Sequence, residues 1–385
     1  MSRLVRFACV PACLAAALAA RALADPPAPI TPALYEFPGS VAGPFSAVSA
    51  GVGLADRWLG DEPADNPAVR PRRAFSLCPA IVRVSRQDLA AGNRHFSQTA
   101  AFFDGAGGWM AYGAGRLGLD LYLYQPVLRH EDNAFERGTI GGAEPPAVVR
   151  SNATVREIRG GVALSYGFGP GRVGAAGEWT RRDDAYHVVE RSAAPDAGER
   201  RVSFSGDGFG FEAGTRLDFG GEGAGAFSLG ASARYVPALT LDGEVLLNLG
   251  SGTGLGVVSV ERESGWEGGI SARYAVTPSL RVLGGIGGHT AQDWRGFGVT
   301  SGAGGMWTLA MDYHDVEVPW TFRLGLGREH QEQVPMSAAG VLGLGVGWRF
   351  EETTIDVGLL RRSLQRAGSP NSFDDRLVGS LSLDF

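Results

Sequence analysis

From residue 73 onward apolar residues alternate one for one with small or polar ones, segment after segment, and that period of two sharply restricts the possible folds. In VLGLGVGWRF, Leu342, Leu344, Val346, Trp348 and Phe350 share one face, and Gly343, Gly345, Gly347 and Arg349 share the other. RLGLDLYLY divides the same way, with Leu117, Leu119, Leu121 and Leu123 opposite Arg116, Gly118, Asp120, Tyr122 and Tyr124. PWTFRLGLGR and GFGFEAGTRLDF repeat the pattern. Successive side chains of a strand point to opposite faces, so each segment reads as a strand with one greasy side. About fourteen such strands fit between residue 73 and the C-terminus.

The connections alternate as well. DGAGG at 104–108, GPG, GGEGA, TP, HD and EE are short, whereas the links between them are longer and polar. A soluble sandwich has no reason to gather its short turns at one end. An outer-membrane barrel has one, because its periplasmic turns are short, its outer loops long and its strand number even. In hydrocarbon every backbone N–H and C=O needs a partner, so the sheet must close into a ring without edges. The chain is therefore predicted to be all-β: a transmembrane antiparallel β-barrel of about fourteen strands over 73–385, with apolar side chains facing lipid. Phe168, Phe219, Tyr313, Trp320, Phe350 and Phe385 then fall in a periplasmic aromatic girdle. Asp120, Glu178, Glu212, Arg216, Asp218, Arg234, Glu267, Arg273, Arg323, Arg349, Asp356 and Arg376 fall on the inward phase.

Residues 1–24 have Arg3 and Arg6, an apolar run and an Ala-Leu-Ala site, which is the pattern of a Sec-type signal peptide. Without it Cys78 is the one cysteine left, so no internal disulfide is expected. No other stretch reaches the roughly 18 apolar residues of a spanning helix. The segment 25–72 breaks the alternation: it is rich in Pro, Gly and Ala, with a helix-compatible stretch near 47–58. Phe37, Phe45, Leu54, Trp58 and Leu59 are too apolar for a free tail, so the segment is expected to fold into the lumen as a plug. The net charge of −6 offers no basic footprint for nucleic acid. Glycine, at 58 of 385 residues, is about twice its usual share and is interleaved with Leu, Val, Phe and Trp, as in strands that pack closely on other backbone.

At ADRWLGDEPADNPA the sequence resembles the fatty-acid transporter (FadL-like) family of outer-membrane channels, which includes aromatic-hydrocarbon channels. The resemblance rests on a small-residue stretch, SAVSAGVGLAD, followed by the tripeptide Asn66, Pro67 and Ala68 ahead of the barrel. It implies a monomeric channel with an N-terminal hatch, and hydrophobic ligands that leave sideways through a gap at a kinked strand. Gly113, Gly115, Gly118 and Pro126 are the candidates for that kink, in a strand expected over 109–125. PorV-like barrels, which serve protein secretion, are similar at this level.

Motifs for catalysis are scarce. Gly113, Gly115 and Gly118 match G-x-G-x-x-G but open no helix, so no nucleotide site is read there. His95, His130, His187, His289, His314 and His330 are scattered and suggest no metal centre. His289 with Ser301 or Ser271 is the best nucleophile pair that can be built, and nothing in the spacing singles it out. No enzyme, cofactor or metal is expected. The mixed lumen charges read mainly as bracing, while Arg216, Arg234, Arg273 and Arg323 are candidates to hold a ligand head group.

The expected function is passive uptake of hydrophobic small molecules across the outer membrane of a Gram-negative bacterium, gated by the hatch. The alternatives are a docking partner of a secretion system or a structural barrel without transport. Outer-membrane lipid and the outer-membrane assembly machinery are expected partners. The C-terminal LVGSLSLDF, with Leu381, Leu383 and Phe385 on the lipid phase, resembles the signal which that machinery reads.

Overall fold

The computed structural model describes residues 46–385 apart from 71, 92–93, 105–106, 138–146, 192–197, 222, 250–251, 296–298, 315–317, 334–335 and 367–368. The expected signal peptide and the first part of the expected hatch, 25–45, lie outside the described residues. One short helix, α1 (Ala47–Gly51), precedes nineteen strand segments. These begin with β1 (Ala74–Ala91), β2 (Arg94–Asp104), β3 (Gly107–Ala114), β4 (Leu117–Arg137), β5 (Ala147–Phe168), β6 (Gly171–Arg191) and β7 (Gly198–Phe219). Next come β8 (Phe227–Val236), β9 (Leu239–Leu249), β10 (Gly252–Arg262), β11 (Gly265–Ala275), β12 (Leu280–His289) and β13 (Gln292–Arg295). The last six are β14 (Val299–Ser301), β15 (Gly304–His314), β16 (Trp320–Gln333), β17 (Met336–Phe350), β18 (Thr353–Arg366) and β19 (Ser369–Asp384).

Five staves of the barrel consist of two segments each: β2 with β3, β8 with β9, β10 with β11, β12 with β13, and β14 with β15. The nineteen segments therefore make a closed antiparallel barrel of fourteen staves. β1 closes the ring by pairing with β19, Ala74 opposite Asp384 and Arg83 opposite Arg376. The alternation reads directly as an inverted sheet. Leu117, Leu119, Leu121 and Leu123 are exposed on the outside of β4, whereas Asp120, Tyr122 and Tyr124 are buried on its inside. The six aromatics expected in the periplasmic girdle are all exposed, and Trp348 packs on Trp320 and stacks on Phe350. Pro237, which has no N–H to donate, interrupts the stave formed by β8 and β9. Beside it the next staves break at Glu263–Ser264 and Thr290–Ala291, bridged by Glu263 N–H to the Asp293 carbonyl and Thr290 N–H to the Trp266 carbonyl, 2.8 Å each.

One seam is incomplete. The β3–β4 ladder runs from Ala114 opposite Leu117 to Gly107 opposite Tyr124. Beyond that point β2 pairs with β1, and β4 pairs with β5 after a bulge between Tyr124 and Val127. Among the described residues no ladder joins Arg94–Asp104 to Gln125–Arg137. The extra residue of a bulge bends the strand and disrupts its ladder, and Pro126 lies within this one.

Two expectations are corrected here. DGAGG does not join two neighbouring staves: its flanks Asp104 and Gly107 pair with Ile81 and Cys78 of the same β1, so β2 and β3 are successive parts of one stave, while residues 105–106 lie outside the described residues. Gly113, Gly115 and Gly118 form no kink. Gly113 pairs with Gly118 across the two-residue turn Gly115–Arg116, where Gly115 has φ 60°. A tight hairpin needs positive φ, which glycine adopts without steric cost, so these glycines serve the turn.

Candidate functional site

The lumen is filled by residues 46–70, and nearly every side chain of this lumen segment is buried. Ser46 caps α1 by accepting the Ser49 N–H at 3.2 Å. Ala47 and Ala50 pack with Cys78, Val341, Leu360 and Val378; Val52, Ala55 and Leu59 pack with Leu283 and Ala310. What lets the segment come so close to the wall is glycine on the inward phase. A Cβ on Gly214 would overlap Asn66 Oδ1, one on Gly287 the Trp58 ring, one on Gly325 the Val52 carbonyl and one on Gly358 the Ala47 carbonyl. The glycine excess is thus a socket shaped for another backbone.

Polar groups fasten the segment at many points. The Asn66 amide donates to the carbonyls of Trp58 at 2.8 Å, Thr215 at 3.1 Å and Ala231 at 3.2 Å, while its Oδ1 accepts the Ala68 N–H at 2.9 Å. Ser232 and Ser165 donate to the carbonyls of Asp65 and Val69. Arg216 Nη1 reaches the carbonyls of Leu59 and Gly60 and the Asp61 carboxylate at 2.7 Å, and Arg273 takes the other Asp61 oxygen at 2.9 Å. Burial alone would raise the Asp61 pKa, but Arg273 and Arg216 together hold it far below the usual carboxylate range. Asp56 has no such partner and hydrogen-bonds Ser49 Oγ at 3.1 Å. Desolvation first, then repulsion from Asp61 and Asp65, pushes it up to about 7.

The four candidate head-group arginines are all engaged. Besides Arg216 and Arg273, Arg234 binds Glu267 at 2.6 Å, Glu212 at 2.8 Å and the Ala64 carbonyl, and Arg323 binds Asp356 at 2.6 Å. Further along the lumen a second ionic group was not singled out in the sequence. Glu157 is shared by Arg159 at 2.9 Å, Arg262 at 3.1 Å and Arg182 at 3.7 Å, and Arg182 also holds Asp184 at 2.9 Å. Buried charges at such density offset desolvation only as a network. Extending the same inward phase along β5, β6 and β10 would have found it. Tyr186, Phe204, Leu241, Val258 and Trp294 form an apolar cluster beside it, and the Arg182 guanidinium lies 4.7 Å from the Trp294 ring.

At the lower end of the open seam lies a second apolar cluster. Trp109, Tyr122 and Tyr124 pack with Ala64 of the lumen segment and Ala163. Both tyrosine hydroxyls lie 3.4 Å from Glu178 Oε2. The arrangement is a buried aromatic cluster with its polar tips tied back into the network. No catalytic pair forms between His289 and Ser271: the Ser271 hydroxyl accepts the Trp58 N–H, and His289 Nδ1 lies 3.1 Å from its neighbour's carbonyl.

No known family profile matches the sequence, and no curated protein matches it. Solved structures do. A FadL homologue from Pseudomonas aeruginosa superposes with a TM-score of 0.65 at 13% identity, covering 90% of this chain and 100% of its own. The Ralstonia pickettii toluene transporter TbuX gives 0.62 at 15% identity over 90% of this chain and 99% of its own. The Pseudomonas putida toluene transporter TodX gives 0.58 at 13% identity over 91% and 98%. With a fourteen-stave ring, a filled lumen and these likenesses, the chain has the fold of the FadL-type outer-membrane channels.

Proposed function

We propose that the protein is a monomeric outer-membrane channel for passive uptake of hydrophobic small molecules, fatty acids or aromatic hydrocarbons. In this reading the lumen segment is the hatch, with Asn66, Pro67 and Ala68 as its fastening point, and the ligand leaves sideways into the bilayer. The observation that carries it is the seam between Arg94–Asp104 and Gln125–Arg137, which no ladder closes among the described residues and which continues from the β3–β4 ladder that holds Trp109, Tyr122 and Tyr124. A wall that lacks a ladder along one seam parts there at lower cost than a wall closed by inter-strand hydrogen bonds. Ala64 belongs to the same cluster, so a ligand arriving there meets the hatch and shifts it locally. The arginines of the lumen brace that hatch. The solved relatives support the ligand class, since two of those above are described as toluene transporters.

Reconstituted vesicles test the proposal. Uptake of toluene or a long-chain fatty acid is expected to exceed that of protein-free vesicles, and deleting residues 30–66 is expected to change it. Uptake equal with and without the protein contradicts the reading. A stable large partner recovered from native membranes in place of bound lipid would favour docking.

A further inference from the structure

On the periplasmic side of the lumen segment lies a cavity of about 900 Å³ that the uptake reading does not use. Among the described residues five guanidinium groups line it, with two carboxylates, Asp312 and Glu351. Three of the five are paired: Arg70 with Asp218, Arg273 with Asp61 and Arg323 with Asp356. The other two are not satisfied in this way. Arg281 meets Asp312 only at 3.8 Å, and Arg349 touches the Glu351 carbonyl at 3.5 Å with no carboxylate partner among the described residues. Among the described residues Arg323 Nε and His314 Nδ1, also at this cavity, lack hydrogen-bond partners, as does Asp312 Oδ1, which lies 3.9 Å from Arg323 Nε. Among the described residues cationic groups outnumber carboxylates around this hollow, a condition for holding an anion, and guanidinium favours carboxylate and phosphate oxygens.

We propose that this periplasmic vestibule binds a small anion bearing a carboxylate or phosphate group, with Arg349 and Arg281 as its principal ligands. The site is coupled to the plug. Arg273 lines the cavity while holding Asp61 at 2.9 Å, so an anion beside Arg349 draws on the guanidinium that fastens the lumen segment. Occupancy from the periplasm thereby loosens the plug, whatever crosses the lumen.

Calorimetric titration of the full protein in a neutral maltoside detergent tests this, with inorganic phosphate and octanoate as separate probes. Saturable binding of either probe is expected, weakened at least tenfold in the double variant Arg349→Ser/Arg281→Gln and unchanged in Arg361→Gln, which lies on the outer face. Phosphate alone binding assigns the site to free anions; octanoate alone assigns it to amphiphile head groups. Amide exchange at residues 56–66 is expected to quicken severalfold with the bound probe in the parent protein, but not in the double variant. Heat-modifiable mobility confirms that both proteins are folded. No saturable binding of either probe, or equal binding by the double variant, overturns the proposal. Neither result bears on uptake, so the two readings fail separately.

Discussion

Asn66 is a fastening point of the lumen segment, because its amide lies within hydrogen-bond distance of three carbonyls from three parts of the chain. Asn66→Ala strands those acceptors away from water, at about 1–3 kcal/mol for buried groups left unpaired. Amides of residues 46–70 are expected to exchange faster in this variant while barrel amides stay protected; unchanged exchange would remove Asn66 from the fastening. Asp56 makes the seating depend on pH. Its folded pKa of about 7 stands above the ordinary value of 3.8, so the folded form binds the proton more tightly. The stabilisation is therefore complete below about pH 4 and is lost as pH rises through 7. Exchange from the lumen segment is expected to quicken between those limits, and Asp56→Asn is expected to flatten the profile. The tripeptide Asn66, Pro67 and Ala68 was legible as a motif, but the carbonyls Asn66 would meet were not, since they come from β7 and β8 some 150 residues away.

Among the elements, the strands were far more legible than their ends. Alternation gave the stave count and the facing of residues such as Leu119 and Asp120, because burial on one face leaves a period of two whatever the neighbours are, although Arg116 lies in the turn and not on the inward face. Turns carry a weaker imprint. DGAGG and GAGRLG are equally rich in glycine, and only pairing along β1 distinguishes a break within a stave from a hairpin. The glycine socket was half legible: glycines on the inward phase are visible in VLGLGVGWRF, but not what they receive. Gly287→Val places a branched side chain where the Trp58 ring now lies. The barrel is expected to assemble with normal heat-modifiable mobility while the lumen segment loses exchange protection. Protection like that of the parent would refute the socket. The bulge at Gln125–Pro126 is the element on which the proposed lateral passage depends, and of the four residues named for a kink only Pro126 lies at it.

At the scale of the whole molecule, ring closure and transport separate. Closure rests on β19 pairing with β1 and β18, with Leu377 and Leu383 outward and Val378 and Ser380 inward. Phe385 is exposed beyond the last pair, where an assembly signal would be read. Phe385→Ala is expected to lower the inserted fraction severalfold in outer-membrane preparations, and normal insertion would separate this residue from assembly. The fold was legible because a bilayer imposes one pattern on every stave. The proposed ligand was not, because the aromatic cluster of Trp109, Tyr122 and Tyr124 forms only where two neighbouring staves and Ala64 meet. Uptake of radiolabelled toluene by vesicles carrying either the parent protein or a variant lacking Pro126 tests the central claim most directly. Removing the bulge residue evens the register of β4 on β5 and is expected to reduce uptake at least fivefold, with the barrel still heat-modifiable. Uptake as fast as that of the parent from a correctly folded variant would contradict passage through the seam.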